Sequence, residues 1–228
     1  MEYTGWELEH FDRSKNFRHY QYSLIKNYVK DNILEVGAGN ASFLETNNLI
    51  KKFSKIELTD INYNFYKKLK EKYKDTDNIK VYNKKINEID SNFETIFYLD
   101  VVEHIEDDKA EILKAFNKLN TGGHLIIMVP AFQYLYSDYD KEIGHYRRYK
   151  TNFFKEFAKE NNIKCKKLIY FDCIGFFFLI INKLIKIKGS SKVGFGTLVW
   201  NILVPISRIL DKILLHSVGK SILCVYKK

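Results

Sequence analysis

The sequence predicts an α/β protein with a seven-stranded, mostly parallel sheet, helices on both faces, and an apolar helical insertion before the last strand. Three observations lead to this prediction. Short strand-like runs alternate with helical runs over the first 150 residues, a glycine-bearing turn follows the first strand, and a last strand-like run follows an apolar segment. Strands that are separated by helices pair in parallel, because a parallel crossover needs a dozen or more residues. We expect one domain over residues 1–228.

The predicted strands are short runs of β-branched, aliphatic and aromatic residues, typical of strands buried on both faces. They are residues 32–36, 55–59, 79–82, 95–99, 124–129, 164–171 and 221–226. The predicted helices have apolar residues at helical spacing or are rich in lysine, as a surface helix is. They are residues 18–29, 41–53, 63–74, 107–119 and 151–161. Gly122 and Gly123 are expected to close the fourth of these before the fifth strand begins.

Two segments interrupt this alternation. Residues 131–150 are polar and aromatic without a period, which predicts an ordered functional loop over the sheet. Residues 173–218 form an apolar insertion whose end is amphipathic, and we expect a helical cap there. Its longest apolar runs, 173–181 and 193–206, are shorter than the roughly 18 to 20 residues that span a membrane.

Composition excludes some classes of protein and leaves others open. The chain has 228 residues, of which 46% are hydrophobic and 29% charged, so it is too apolar to be disordered. The net charge of +9 suits nucleic acid, an anionic membrane or an acidic substrate and selects none of them. Three cysteines without zinc-ligand spacing predict reduced thiols and no metal site. The charged N-terminus lacks a signal core, so we expect a cytoplasmic location, with peripheral contact to the inner membrane face left open.

The turn after the first strand is the most informative motif. In ILEVGAGNASF, Glu35, Gly37 and Gly39 lie between a strand and a helix, where glycines let the backbone approach a ligand. Ser42 stands where a dinucleotide fingerprint has its third glycine, so a pyrophosphate ligand is disfavoured. The Glu35 carboxylate instead suits a cationic amino-acid group. Asp60 ends the second strand, where a carboxylate accepts hydrogen bonds from ribose hydroxyls.

These residues resemble the class I S-adenosyl-L-methionine-dependent methyltransferases. The family's first motif is matched by Glu35, Gly37 and Gly39, with Ala41 in the third small position, and Asp60 matches its ribose-binding acid. LDVVEHI resembles its fourth-strand motif, and NTGGHLIIMVP resembles the joint between helix and fifth strand. The resemblance implies a Rossmann-like fold and S-adenosyl-L-methionine as cofactor. The cofactor-binding residues that it implies are Glu35, Gly37, Ala38, Gly39, Asp60, Ile61, Asp100 and Val101.

Two features of this match leave alternatives open. Where many relatives carry an acid after the third strand, this chain has Lys84, Lys85 and Asn87, so no adenine-binding residue is assigned. Glu103 and His104 fit either the methionine end of the site or a simple helix start.

The loop core DKEIGHYRRY carries the predicted acceptor site. Arg147 and Arg148 are two of only five arginines in a lysine-rich chain, and paired arginines suit bidentate binding of carboxylate or phosphate. With Tyr149 they are predicted to bind an anionic acceptor. The alternative is a salt-bridged lid, in which one of these arginines pairs with Asp138 or Asp140.

The stretches SDYDKEIGHYRRY, VPISRILD and GKSILCV resemble a bacterial subgroup of these methyltransferases that is linked with polyprenyl-glycan and surface-glycan pathways. We therefore predict methyl transfer to a small-molecule or glycan- or lipid-linked acceptor, at an oxygen of an anionic or hydroxylated group. For a hydroxyl acceptor the first candidate base is His145, because its ordinary pKa is near neutral, and the second is His104. A phosphate or carboxylate oxygen needs no base.

Two other functions remain as alternatives. A nucleic-acid methyltransferase would fit the positive charge, although the fourth strand lacks the Asn/Asp-Pro-Pro-aromatic run of amino-methylating enzymes and no cysteine follows a proline. A non-catalytic, membrane-associated protein that keeps the cofactor site for control of a partner is the second alternative. The acceptor and the oligomeric state are not predicted.

Overall fold

A computed structural model describes residues 12–185 and 193–228. Its strands are β1 (Ile33–Val36), β2 (Ile56–Thr59), β3 (Ile79–Tyr82), β4 (Phe93–Leu99), β5 (Leu119–Pro130), β6 (Lys164–Phe171) and β7 (Ser221–Lys227). They form one seven-stranded sheet in the order β3-β2-β1-β4-β5-β7-β6. The first five strands are parallel, and β7 runs antiparallel to both β5 and β6. The predicted seven-stranded, mostly parallel sheet is confirmed.

Helices cover both faces of this sheet. They are α1 (Lys15–Ile25), α2 (Ser42–Thr46), α3 (Leu49–Lys52), α4 (Tyr63–Lys72), α5 (Asp108–Asn117), α6 (Asp138–Glu142), α7 (Thr151–Glu160), α8 (Cys173–Ile185) and α9 (Val193–Ile213). Because strand side chains alternate between faces, Ile96 and Phe97 of β4 enter opposite cores. Phe97 packs with α1 to α4 and α9, whereas Ile96 packs with α5 and α7.

Three boundaries differ from the prediction. The helix expected over residues 41–53 is two short helices, because Asn48 takes a left-handed conformation (φ 53°) between them. The first helix lies at Lys15–Ile25 rather than at 18–29. Strand β5 begins at Leu119 and includes Gly122 and Gly123, because Leu119 pairs with Phe93 across an irregular register.

The expected apolar insertion contains α8 and α9, which pack against each other and, through α9, against α1. Residues 186–192 of this insertion, with Lys186, Lys188 and Lys192, and the first eleven residues lie outside the described part of the chain. Among the helices that are described, none is long and apolar enough to cross a membrane.

Two buried aspartates fasten this cap to the sheet. The Asp211 carboxylate of α9 accepts hydrogen bonds from the backbone N–H of Asp172 (2.5 Å), from that of Cys173 (2.9 Å) and from the Tyr20 hydroxyl (2.6 Å). Asp172 in turn accepts from the Trp200 indole at 2.7 Å. The cap is therefore held in place by polar contacts as well as by apolar packing, and it forms one wall of the cleft above the sheet.

Candidate active site

A cleft of about 2400 Å³ lies at the carboxyl ends of the parallel strands. The strand order reverses between β1 and β4, and open α/β sheets bind their ligands at such a reversal. A pocket for one small ligand has roughly 300 to 1,000 Å³, so this cleft has room for two. Its walls are the turn after β1, the ends of β2 and β4, residues 135–146, and the inner faces of α8 and α9.

The glycine turn lies against the end of β4. Gly37 has φ +67°, and a Cβ there would lie 2.6 Å from a methyl group of Val101, so a side chain does not fit. Gly39 has φ +53°, and its N–H donates to the Asp60 carboxylate at 2.9 Å. The turn is thus shaped by Val101 on one side and by Asp60 on the other.

Asp60 directly follows β2 and is almost buried, at 7% exposure. Its carboxylate accepts from the N–H groups of Gly39 and Asn62, the second at 2.8 Å. Burial raises the pKa of this carboxyl although both hydrogen bonds oppose the rise. Ile61 and Lys84, which follow β2 and β3, line the cleft beside it.

Glu35 lies near the end of β1, and one of its carboxylate oxygens faces no donor. This atom, Oε2, is buried and has no hydrogen-bond partner among the described residues. Burial raises the pKa of Glu35 to about 8, with the nearby Arg18 lowering it and Asp60 raising it further. A cationic group of a ligand in this part of the cleft would satisfy the oxygen and favour its ionised form.

Asp140, at the centre of α6, organises the loop of residues 131–150, which we call the acceptor loop. Its carboxylate accepts from His145 Nδ1 at 2.8 Å and, through two parallel hydrogen bonds, from Arg148 Nε (2.7 Å) and the second guanidinium nitrogen (2.9 Å). Burial alone would raise the pKa of Asp140, but the hydrogen bonds from His145 and Arg148 outweigh it and hold the pKa at about 2. Asp140 is therefore ionised.

The two predicted bases meet at the cleft wall. The rings of His104 and His145 lie 4.6 Å apart between centroids in an edge-on arrangement. Burial lowers the pKa of His104 to about 4, helped by repulsion from His145. The carboxylate of Glu103 lies 3.8 Å from His145 Nε2. Burial, followed by the charge of Asp100, raises the pKa of Glu103 well above its ordinary value.

Asp100 follows β4 in a left-handed conformation (φ 58°) and its side chain faces the cleft. The residue is exposed to the cleft, and partial loss of water around its carboxyl raises the pKa, while the positive charges of Arg18 and Lys220 oppose this rise.

Arg147 and Tyr149 do not line the cleft. Both donate to the Asp108 carboxylate, at 2.9 and 2.8 Å, and Arg147 also donates to the Glu106 carbonyl. Arg148 does line the cleft, but Asp140 occupies its guanidinium fork. This geometry differs from the predicted anion clamp and corresponds to the salt-bridged lid that the sequence left as the alternative.

Comparison with known proteins decides the family. A family model described as a methyltransferase domain matches residues 8–179. The chain belongs to this family. No curated protein matches the methyltransferase in sequence.

Solved structures with the same fold are distant in sequence. A putative sarcosine dimethylglycine methyltransferase from Galdieria sulphuraria is 15% identical, with a TM-score of 0.62 over 95% of this chain and 85% of that one. A putative methyltransferase from Haloferax volcanii, solved in complex with the Trm112 activator, is 12% identical, with a TM-score of 0.65 over 99% and 97%. The N-methyltransferase NodS from Bradyrhizobium japonicum is 13% identical, with a TM-score of 0.57 over 96% of each chain. At these identities the likeness shows the shared fold.

The protein is thus an enzyme, and its cofactor is S-adenosyl-L-methionine, which supplies a methyl group activated by a sulfonium. The residues of the cleft fit this group. The unsatisfied Glu35 oxygen suits the ammonium of the methionine part, the backbone around Gly37 has no room for a side chain, and Asp60 offers acceptors suited to ribose.

Two residues of this cleft, Arg18 and Lys220, were not predicted from the sequence, and Asp140 was predicted only as one possible partner of the loop arginines. Arg18 of α1 is buried beside Glu35, and its Nε atom has no hydrogen-bond partner among the described residues. We expect it to face the methionine carboxylate. Lys220 lies 3.4 Å from the Trp200 ring centroid, and Asp140 orients the acceptor loop. The scarcity of arginine pointed to Arg18, whereas nothing local distinguished Lys220 among so many lysines.

Proposed function

We propose that the enzyme transfers its methyl group to an oxygen of a lipid-linked, hydroxylated acceptor that it meets at an anionic membrane surface. The observation that carries this proposal is the apolar outer face of the cap, whose inner face lines the cleft. Eight of its large apolar side chains are about half exposed or more: Phe177, Ile181, Leu184, Leu198, Ile202, Ile206, Ile209 and Ile213. Monomeric soluble proteins rarely expose contiguous apolar surface on this scale without a partner.

Charge complementarity favours a membrane as that partner. Exposed Arg208 and Lys212 alternate with these apolar side chains along α9, and the whole chain carries +9. Helices that lie in the membrane interface combine an apolar face with such cations. A lipid-linked acceptor held there needs to move only its headgroup into the cleft.

The division of the cleft supports a separate acceptor site. The part around Glu35, Gly37 and Asp60 fits the cofactor, which leaves the part beyond Asp100, between the acceptor loop and the cap, for the acceptor. Because Asp140 occupies the Arg148 fork, and Asp108 with the Glu106 carbonyl occupies that of Arg147, a hydroxylated headgroup is favoured over an anionic one. We place His145 and His104, which face this part, beside the acceptor oxygen.

Vesicle binding tests the membrane contact. The enzyme should float with phosphatidylglycerol vesicles at low salt and be released as salt rises, because exposed charges are screened within a Debye length of about 10 Å at 0.1 M. Replacing Ile202, Ile206 and Ile209 together by Gln should abolish flotation. Replacing the exposed Lys67, Lys68 and Lys70 of α4 by Gln is the control and should largely retain it. Equal loss in the two variants, or no flotation of the wild type, would contradict the proposal.

Turnover tests the acceptor. Release of S-adenosylhomocysteine is expected with a polyprenyl-linked sugar in vesicles and not with the same sugar free in solution. Turnover of total tRNA or DNA instead would support a nucleic-acid methyltransferase. Tight S-adenosylhomocysteine binding without turnover of any acceptor would support the non-catalytic alternative.

A further inference from the structure

Three side chains of types that can bind a metal ion lie close together on the acceptor side of the cleft. One ligand atom from each of Glu103, His104 and His145 lies within 4.8 Å of the others. All three residues line the cleft, two of them from the segment after β4 and the third from the loop after β5. The sequence predicts no metal site, because the three residues do not have the spacing of a cysteine or histidine motif within one segment.

Glu103 is the most unusual member of the cluster. The residue is 0% exposed, and neither of its carboxylate oxygens has a hydrogen-bond partner among the described residues. A buried carboxyl group without a partner is costly, and buried carboxylates in native proteins are paired or bind a metal. The two carboxylate oxygens of Glu103 therefore favour binding of a cation or of a ligand that donates a proton.

Both histidines are oriented by hydrogen bonds to groups outside the cluster. The Asp140 carboxylate can only accept, so His145 Nδ1 donates to it, and Nε2 is the ring nitrogen left to bind a metal, 3.8 Å from Glu103 Oε1. The ring of His104 is hydrogen-bonded to the backbone of Gly144. Ligating histidines in metal sites are held in this way by a carboxylate or a backbone carbonyl, which fixes the tautomer and the ring plane.

We propose that Glu103, His104 and His145 bind a divalent transition-metal ion, with a coordination position left open to the cleft. Two ligands at roughly 2.1 Å from an ion and at a tetrahedral angle are about 3.4 Å apart, so the 3.8 Å between Glu103 Oε1 and His145 Nε2 needs a small adjustment, and the separations of up to 4.8 Å within the cluster need a larger side-chain movement. Two imidazoles and one carboxylate favour Zn²⁺, Fe²⁺ or Mn²⁺ over Mg²⁺ and Ca²⁺, which prefer oxygen ligands. The open coordination position takes the acceptor oxygen, and this last step rests on the proposed function.

Metal content tests this site without any acceptor. The enzyme is stripped with a chelator and dialysed against Zn²⁺ or Mn²⁺, and bound metal is measured by mass spectrometry. One ion per chain is expected, and a millimolar excess of Mg²⁺ should not displace it. His104→Gln and Glu103→Gln should each weaken binding by about 100-fold or more, and Asp140→Asn by about 10- to 100-fold, since it removes only an orienting partner. His19→Gln, at an exposed histidine that does not line the cleft, is the control and should bind like the wild type.

Two further measurements separate the possible failures. The Tm of the wild type should rise with Zn²⁺ and that of Glu103→Gln should not, which holds even if the variant is less stable. Calorimetry with S-adenosylhomocysteine should give similar affinities in all variants, which shows that the cofactor half of the cleft is intact. Absence of bound metal in the wild type, or equal binding in wild type and His104→Gln, would overturn the proposal whatever the acceptor is. Bound metal without flotation or turnover would count against the proposed function alone.

Discussion

The carboxylate of Asp140 lies 2.8 Å from His145 Nδ1 and 2.7 Å from Arg148 Nε. One buried group therefore fixes two side chains of the acceptor loop that face the cleft. The planar guanidinium fork matches the two carboxylate oxygens, and a lysine in its place would bind as a point charge. Arg148 therefore has a structural role in the loop that does not involve the acceptor.

Removal of the Asp60 carboxylate tests the cofactor half of the cleft. Asp60→Ala is expected to weaken S-adenosylhomocysteine binding by about 1.5 to 3 kcal/mol, because it removes a charged hydrogen-bond acceptor and the partner of the Gly39 N–H. Calorimetry measures the change. Asp77→Ala, at an exposed aspartate, should bind like the wild type. Unchanged affinity in a folded Asp60→Ala variant would remove this residue from the site.

Cofactor binding should depend on pH through Glu35. The pKa of about 8 leaves this group mostly neutral at pH 6 to 7, and a bound ammonium would lower the pKa. Binding then releases a proton, so affinity rises with pH over this range, by at most about tenfold per pH unit. Calorimetry in buffers of different ionisation enthalpy measures the released proton.

Glu35→Gln provides the control for this linkage. It cannot release the proton, so its affinity for S-adenosylhomocysteine should be flat between pH 6 and 7. A wild-type affinity that is equally flat would show that Glu35 does not meet the ammonium.

The cap anchor should matter for stability. Asp211→Asn is expected to lower the free energy of unfolding by roughly 2 to 4 kcal/mol, since an amide carries no charge and turns a donor toward the N–H groups of Asp172 and Cys173. Urea denaturation measures the loss, and hydrogen exchange should increase over residues 173–185. Asp75→Asn, at an exposed position, should change neither. Similar behaviour of the two variants would mean that apolar packing alone holds the cap.

The sheet could be predicted from the sequence because its signals are local. Each strand, and the turn at Gly37 and Gly39, can be recognised from a few consecutive residues. The position of the turn also predicts where the cleft lies. The break at Asn48 was not predicted, although asparagine is enriched in the left-handed conformation and two asparagines, Asn47 and Asn48, stand side by side there.

The partners of the loop arginines were harder to predict. Arg147 bonds to Asp108, 39 positions earlier in the chain, and Arg148 bonds to Asp140, so two adjacent residues have different partners. Which acids approach the loop depends on the packing of α5 and α6 beside it. Glu103 and His145 are likewise brought together by tertiary packing, and their spacing in the sequence does not indicate that they lie close together.

The loop geometry predicts unequal effects for the two arginines. Arg148→Lys keeps the charge but loses the paired hydrogen bonds to a fully buried carboxylate, and we expect a loss of about 1 to 3 kcal/mol in unfolding free energy. Arg147→Lys should cost less, because the Arg147 side chain is 36% exposed and its ion pair is weakened by solvent. Urea denaturation gives both values, and hydrogen exchange over residues 137–148 should increase more in Arg148→Lys. A double-mutant cycle with Asp140→Asn should assign most of the Arg148 effect to that one pair. Equal losses in the two lysine variants, or no coupling with Asp140, would mean that the loop does not depend on the shared carboxylate.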